Sequence, residues 1–76
     1  MMIKITSKLQ KNAAQRLRRA AERYAERYSE DDCYHTNAFT HVDRNTYMPL
    51  HSLRDPHSVA RHMMVCAGVT FDYEIV

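Results

Sequence analysis

The chain of 76 residues has only one glycine, only two cysteines and no tryptophan. With Gly68 as its single glycine, it cannot contain a glycine-rich loop of the kind that binds phosphates. Two cysteines are too few for a disulfide framework. No apolar run approaches the roughly 20 residues of a membrane span, and the first residues do not resemble a signal peptide. We therefore expect a single small domain, residues 1–76, in the cytoplasm.

The most regular pattern in the chain lies between Ser7 and Ser29, where it predicts one long amphipathic helix. At about 100° per residue the apolar side chains fall within an arc of roughly 160°, and charged or amide side chains fill most of the rest. Neither Gly nor Pro interrupts the pattern. Ser7 with Gln10 three residues later matches a capping box, which predicts the start of the helix. The apolar arc consists of Leu9, Ala13, Ala14, Leu17, Ala20, Ala21, Tyr24, Ala25 and Tyr28.

A second helix and four strands are predicted around the long helix. Asp55-Pro56 is a typical helix start, and Gly68 is a typical residue after a helix end. Alternating or β-branched segments predict the strands, with residues 43–45 as the turn of a hairpin. The strands are predicted at residues 2–6, 38–42, 46–50 and 69–75. The resulting order, β-α-β-β-α-β, is that of the split βαβ or ferredoxin-like arrangement. We therefore expect an α+β domain with both helices on one face of a sheet in which the first and last strands are neighbours.

Charge is distributed unevenly along the chain, although the net charge is only +2. Residues 1–27 contain eight Lys or Arg and two Glu, a net charge of +6. Residues 28–76 contain three Arg and seven acidic residues, a net charge of −4. Such asymmetry is one indicator of a polyanionic partner. It also fits a solvated helix face, or electrostatic attraction between the two halves of one domain.

The first candidate site is the basic face of the predicted helix over residues 7–29, which would bind a protein partner or a phosphate backbone. Arginine outnumbers lysine there, which suits bidentate contact with phosphate. Glu22 and Glu26 lie among the arginines, so the same residues also form ordinary ion pairs along a helix surface. The candidate residues are Lys8, Lys11, Arg16, Arg18, Arg19 and Arg23.

The second candidate site is a zinc site formed by Cys33, His35, His62 and Cys66. His62 and Cys66 are four residues apart on the second predicted helix, so one metal ion can reach both side chains. Four such ligands suit tetrahedral zinc, but Cys-x-His is not a usual ligand spacing. The alternative, which we favour, is a buried Cys66 beside a hydrogen-bonded His62, with no cofactor.

The sequence offers little for catalysis, and we do not expect an enzyme. Cys33 follows three acidic residues, which would raise the pKa of its thiol. The pairs His41 with Asp43 and His57 with Asp55 are of the kind that turns and helix caps produce. The predicted open face of the sheet carries no aromatic residue, which argues against the base stacking of single-strand RNA readers.

These observations favour a small non-enzymatic interaction module that binds a protein partner. Inhibitors and adaptors of larger, nucleic-acid-handling complexes have this size, including viral proteins that phages direct against host or defence complexes. Nucleic-acid binding by the basic helix and a zinc-stabilised domain are the alternatives. A homodimer is a further alternative, because so small a chain can leave part of its apolar surface uncovered.

Overall fold

The computed structural model describes residues 1–28, 36–51 and 53–76. Its elements follow the predicted order, which confirms the α+β class. In chain order they are β1 (Ile3–Ile5), α1 (Lys11–Tyr28), β2 (Phe39–Asp43), β3 (Thr46–Pro49), α2 (Pro56–Ala67) and β4 (Tyr73–Ile75). Within the described ranges, neither helix is long and apolar enough to cross a membrane.

The four strands form one antiparallel sheet in the order β2-β3-β1-β4. This is the strand order of the ferredoxin-like arrangement, with the first and last strands side by side as predicted. Lys4 lies directly opposite Glu74 across that pair. Both helices cover the same face of the sheet, because the buried residues of β1 and β3 share one hydrophobic cluster with those of α1 and α2. The other face of the sheet is open.

The core lies between the sheet and the two helices. Ile3 and Ile5 point into it from β1, and the period-two alternation of a strand turns Lys4 to the open face. Phe39 is fully buried and contacts aromatic rings from two other elements edge to face, at centroid distances of 5.5 Å to Tyr24 and 5.9 Å to Tyr47. Ala13, Leu17 and Ala21 of the predicted stripe of α1 are buried against this layer, whereas Ala25, also predicted to face it, is exposed. The residues of the core cluster are Ile3, Ile5, Ala13, Leu17, Ala21, Phe39, Tyr47, Val59, Ala60, Met63, Ala67 and Phe71.

The predicted start of the long helix at Ser7 is wrong, because α1 begins at Lys11. The Ser7 hydroxyl does not cap the helix but accepts a hydrogen bond of 2.9 Å from the backbone N–H of Asp72. The carbonyl of Gln10 accepts the first helical hydrogen bond, from the N–H of Ala14. Residues 6–10 therefore connect β1 to the helix, and the bond to Asp72 ties this connection to the residues before β4.

The hairpin turn is shorter than the three residues predicted. Asp43 pairs with Thr46, so that only Arg44 and Asn45 connect β2 to β3. Arg44 has a φ of +41°, in the left-handed region that residues other than glycine seldom adopt. A ring nitrogen of His41, Nε2, donates a hydrogen bond of 2.8 Å to the Arg44 carbonyl and supports this turn.

The last strand is also shorter than predicted, because β4 spans Tyr73–Ile75 rather than residues 69–75. It pairs with β1, which is also three residues long, and backbone hydrogen bonds from Thr6 to Asp72 and between Met2 and Val76 continue the pairing at either end. The predicted alternation of side chains nevertheless continues outside the strand, where Phe71 is buried while Thr70 and Asp72 are exposed.

The caps predicted for the second helix are confirmed. Asp55 is the N-cap residue of α2, Pro56 is its first residue, and Gly68 ends it with a φ of +70°. The Asp55 carboxylate accepts hydrogen bonds of 3.2 Å from the backbone N–H of His57 and from the Ser58 hydroxyl. The bond from the His57 N–H is the main reason why the pKa of Asp55 lies below its ordinary value.

We expect acid to weaken α2 through Asp55. A carboxylate whose pKa is lowered by folding stabilises the folded chain above its unfolded pKa of about 3.9. That stabilisation is lost as the pH falls from there through the folded-state value. The variant Asp55→Asn keeps a capping side chain that does not titrate. Between about pH 5 and pH 3 its thermal midpoint should therefore fall less steeply than that of the natural chain, as followed by circular dichroism. Identical slopes for the two chains would contradict this assignment.

Candidate interaction surface

The basic residues predicted to form one binding face are all exposed, but they lie on three sides of the chain. Lys8 precedes α1, and Arg19 projects from the side of the helix opposite its buried stripe, as the helical period requires. Arg16 and Arg23 lie toward α2, and Arg18 lies toward the sheet. Lys11, seven residues before Arg18, lies on nearly the same side of the helix as Arg18. Of the six predicted residues, Arg19 therefore points most directly outward.

Arg16 binds the end of α2. Its Nη1 donates a hydrogen bond of 3.1 Å to the carbonyl of Ala67, the last residue of that helix. A helix C-terminus carries unsatisfied carbonyls and partial negative charge, so a guanidinium is well placed there. The sequence predicted Arg16 to be a surface binding residue and did not predict this contact. Its only sequence signal is that no basic residue lies in the last turn of α2 itself.

We expect Gly68→Ala to destabilise the chain by about 1–2 kcal/mol, the cost of a left-handed conformation for a residue with a Cβ. The added Cβ would also lie 3.1 Å from Nη1 of Arg16 and would displace the guanidinium. Urea denaturation of Gly68→Ala, in the natural chain and in an Arg16→Ala background, separates the two contributions. The cost of the left-handed backbone is present in both backgrounds, while the cost of displacing the guanidinium is present only in the natural chain. A cost below about 0.5 kcal/mol in the natural background would contradict the prediction.

Arg18 lies beside the hydroxyl of Tyr47, whose side chain is almost fully buried. Burial raises the pKa of Tyr47, and the charge of Arg18 together with a hydrogen bond from it opposes that rise. Arg18 therefore compensates a phenol at the edge of the core, where a buried hydroxyl needs a polar partner. Like Arg16, it has a role inside the fold that a helical pattern cannot indicate.

Val65 is a large apolar side chain of α2 that is 77% exposed. It lies in a shallow depression of about 500 Å³ at the end of that helix, which we call the α2 apolar patch. The patch is lined by Met64, Val65, Gly68, Val69 and Thr70. Because Arg16 contacts Ala67 and approaches Gly68, its guanidinium lies at the rim of the patch. This surface was not among the sites predicted from the sequence, although Val65 falls outside the apolar stripe of its helix.

Two of the four predicted zinc ligands come together between α1 and α2. Nε2 of His62 lies 3.5 Å from Sγ of Cys66, a separation that bonds of about 2.0 and 2.3 Å to a tetrahedral zinc would span. The same nitrogen is hydrogen-bonded at 2.6 Å to the Tyr24 hydroxyl. Cys33 and His35 lie outside the described residues, and among the residues that the structure describes no three His, Cys, Asp or Glu side chains form a metal-binding group. The zinc site therefore stays a prediction.

Cys66 is half-buried and packs against the core. Burial raises the pKa of its thiol, and the nearby positive charge of Arg23 only partly opposes that effect. A thiol with a raised pKa is a poor nucleophile at neutral pH. The contacts of this cysteine therefore suit packing better than covalent chemistry.

The two histidine–aspartate pairs noted in the sequence take part in local structure. His41 supports the hairpin turn through the Arg44 carbonyl. The backbone of His57 binds the capping carboxylate of Asp55, and its Nδ1 is hydrogen-bonded to the Tyr73 hydroxyl at 2.9 Å. These contacts join α2 to β4 and to its own N-cap.

The comparisons with known proteins give no family for this chain: no family model, no curated protein and no solved structure matches it. Arguments about its function therefore depend on its own surface.

Proposed function

We propose that this chain is a small non-enzymatic interaction module that binds a protein partner through the α2 apolar patch. The observation that carries this proposal is the exposure of Val65 among other apolar residues on an otherwise polar helix surface. Contiguous exposed apolar surface of this kind commonly marks a protein-binding site. Full burial of a valine side chain contributes about 1.5–3 kcal/mol to an association.

Arg16 gives the patch a polar rim of defined geometry. Its guanidinium is held by the Ala67 carbonyl through one of five N–H donors, so that others remain to bind a partner. Because the side chain is already held in place, less conformational entropy is lost when it binds. Arginine and a buried apolar centre are common features of protein interfaces. The partner should therefore present an apolar side chain with a carboxylate next to it.

An inhibitor or adaptor is the role that we propose for the module, and the cytoplasm is its proposed compartment on the sequence evidence given above. Its basic α1 would suit an acidic surface on a partner that itself handles nucleic acid. The proposal assigns no reaction to the chain.

The test is affinity capture from a lysate with three immobilised chains: the natural one, Val65→Asp and the control Leu53→Asp. Leu53 is 99% exposed in the connection before α2, so its replacement controls for added charge. A specific partner should be retained by the natural chain and by the control but lost with Val65→Asp. After purification, its affinity for Val65→Asp should be at least about tenfold weaker. Equal retention by all three chains, or no specific partner, would refute the proposal.

Nucleic-acid binding is the second candidate function. It is favoured by the exposure of Lys11 and Arg19 on α1 and of Lys8 just before the helix. These three residues, rather than Arg16 and Arg18, would then contact phosphates. Salt dependence distinguishes this candidate from the protein-binding module.

A further inference from the structure

β4 is an edge strand, and among the described residues no further strand lies on its outer side. The sheet order β2-β3-β1-β4 gives it β1 as its strand neighbour. Along an antiparallel strand, residues alternate between those whose N–H and C=O bond to the neighbouring strand and those whose N–H and C=O point away from it. The groups that point away from β1 form a free edge, which is a template for an added strand.

The hydrogen bonds around β4 show which of its residues lie on the free edge. Val76 exchanges two backbone hydrogen bonds, of 2.8 and 2.9 Å, with Met2, and the carbonyl of Asp72 accepts one of 2.9 Å from the residue after β1. The even-numbered positions therefore bond to β1. Tyr73 and Ile75 are the odd-numbered positions of β4, so two N–H donors and two C=O acceptors point outward at this edge.

The side chains along this edge are apolar on one face of the sheet and acidic on the other. Tyr73 and Ile75 are half-buried on the helix side, where they pack against the core. Asp72 and Glu74 are exposed on the open face. Lys4 lies opposite Glu74 and offsets part of its charge, but β1 has no second basic residue to offset Asp72. A strand added here would therefore meet an edge with excess negative charge on its open face.

These charges oppose pairing of β4 with the β4 of a second copy. A two-fold axis between two antiparallel strands can pair Tyr73 with Ile75 of the copy, which sets Glu74 directly opposite Glu74. It can also pair Tyr73 with Tyr73, which sets Glu74 opposite Asp72. Like charges directly opposite each other destabilise a strand pair. A register centred on Ile75 pairs only one residue of each β4 strand. The edge therefore favours a strand of opposite charge over its own copy.

We propose that the edge of β4 binds an extended segment of a protein partner in which apolar and basic side chains alternate. The backbone of this segment makes hydrogen bonds with the outward groups of Tyr73 and Ile75. Its apolar side chains extend the helix side of the sheet, and its lysines or arginines lie beside Asp72 and Glu74, because paired residues of adjacent strands share a face. In strand addition of this kind, backbone bonds give affinity and alternate side chains give specificity.

This inference goes beyond the α2 apolar patch, because it uses the sheet edge and not the helix layer. The test is amide hydrogen exchange, followed by NMR on the full chain with a peptide of alternating lysine and valine. In the free chain, the N–H groups of Tyr73 and Ile75 should exchange faster than that of Glu74, which bonds to β1. The peptide should slow both by at least about tenfold at saturation. A peptide with glutamate in place of lysine should leave them unchanged.

Two sets of variants identify the edge as the binding site. Ile75→Pro removes an outward N–H and leaves the bonds to β1 in place, so it should weaken peptide binding at least about tenfold. Ile75→Val keeps that N–H and should bind as the natural chain does. Asp72→Asn with Glu74→Gln should weaken binding about fivefold, and provides the test if Ile75→Pro does not fold. The matched control, Glu22→Gln with Glu26→Gln, removes the same charge from α1 and should have no effect.

The proposal is overturned if the lysine peptide protects neither edge amide, or if the control on α1 weakens binding as much as the change at Asp72 and Glu74. Protection of Tyr73 and Ile75 that rises with the concentration of the chain alone would place a second copy at this edge instead. The edge can fail this test while partner capture at Val65 succeeds, because none of these variants alters the α2 apolar patch.

Discussion

Replacing Phe39 with alanine should remove roughly half of the free energy of unfolding of this chain. The Phe39 ring is fully buried and contacts Tyr24 of α1, Tyr47 of β3 and His62 of α2, the last at a centroid distance of 6.2 Å. Truncation of a buried phenylalanine costs about 3–5 kcal/mol. At roughly 0.05–0.15 kcal/mol per residue, a domain of this length has a total stability of about 4–11 kcal/mol. The loss is therefore a large fraction of the whole.

Thermal and urea denaturation followed by circular dichroism would measure this effect, with a thermal midpoint expected to fall by more than about 10 °C. Phe39→Leu keeps most of the apolar volume and should cost less. Val42→Ala in the same strand is the control, because Val42 is 46% exposed and its truncation should change stability by less than about 0.5 kcal/mol. If Phe39→Ala and Val42→Ala had similar effects, Phe39 would not be the centre of the core.

The limits of α2 could be predicted because they depend on neighbouring residues. Asp55 caps the backbone of His57, two residues away, and Pro56 fixes the first helical turn. Gly68 adopts a left-handed conformation that glycine enters without strain. The element order followed from patterns of the same local kind. Once that order was known, the neighbouring positions of β1 and β4 followed from the topology.

The start of α1 could not be predicted because its determinant is distant in sequence. Ser7 matched a capping box, but its hydroxyl binds the N–H of Asp72, 65 positions away. Leu9 fits the apolar arc of a helix and packs against the core without being in one. A helical period in a sequence indicates which side chains are buried. Residues in an extended connection that packs on the core can match the same spacing without being helical.

The roles of the arginines were hidden for the same reason. A helical wheel assigned Arg16 and Arg18 to the solvent, but a guanidinium reaches past the edge of its own helix. Arg16 donates a hydrogen bond to the carbonyl at the carboxyl end of α2, and Arg18 donates one to the hydroxyl of Tyr47. The α2 apolar patch was missed because Val65 appears in the sequence as one more apolar residue. Its position outside the apolar stripe of α2 can be read from the sequence, but only the packing of α2 shows that no other described element covers it.

Salt should separate the two candidate functions. If Lys8, Lys11 and Arg19 contact three phosphates, the affinity for a short DNA duplex should vary with salt with a log–log slope of about −2.7. Between 0.1 and 0.4 M salt that slope lowers the affinity about 40-fold. A protein partner bound at the α2 apolar patch should stay bound over this range, because burial of apolar surface does not weaken with ionic strength.

Fluorescence anisotropy with labelled duplexes measures the slope. The triple variant Lys8→Gln, Lys11→Gln and Arg19→Gln should bind DNA much more weakly and with a nearly flat salt dependence. The matched control replaces Arg44 and Arg61 with Gln; both are exposed outside α1, so the control should keep the natural slope.

Arg16 and Arg18 are unsuitable for this test, since their removal also disturbs the end of α2 and the hydroxyl of Tyr47. A natural chain without measurable DNA affinity at 0.1 M salt would exclude the phosphate-binding role and leave the basic side of α1 to a protein partner. A slope that stayed near −2.7 in the triple variant would mean that other residues contact the phosphates.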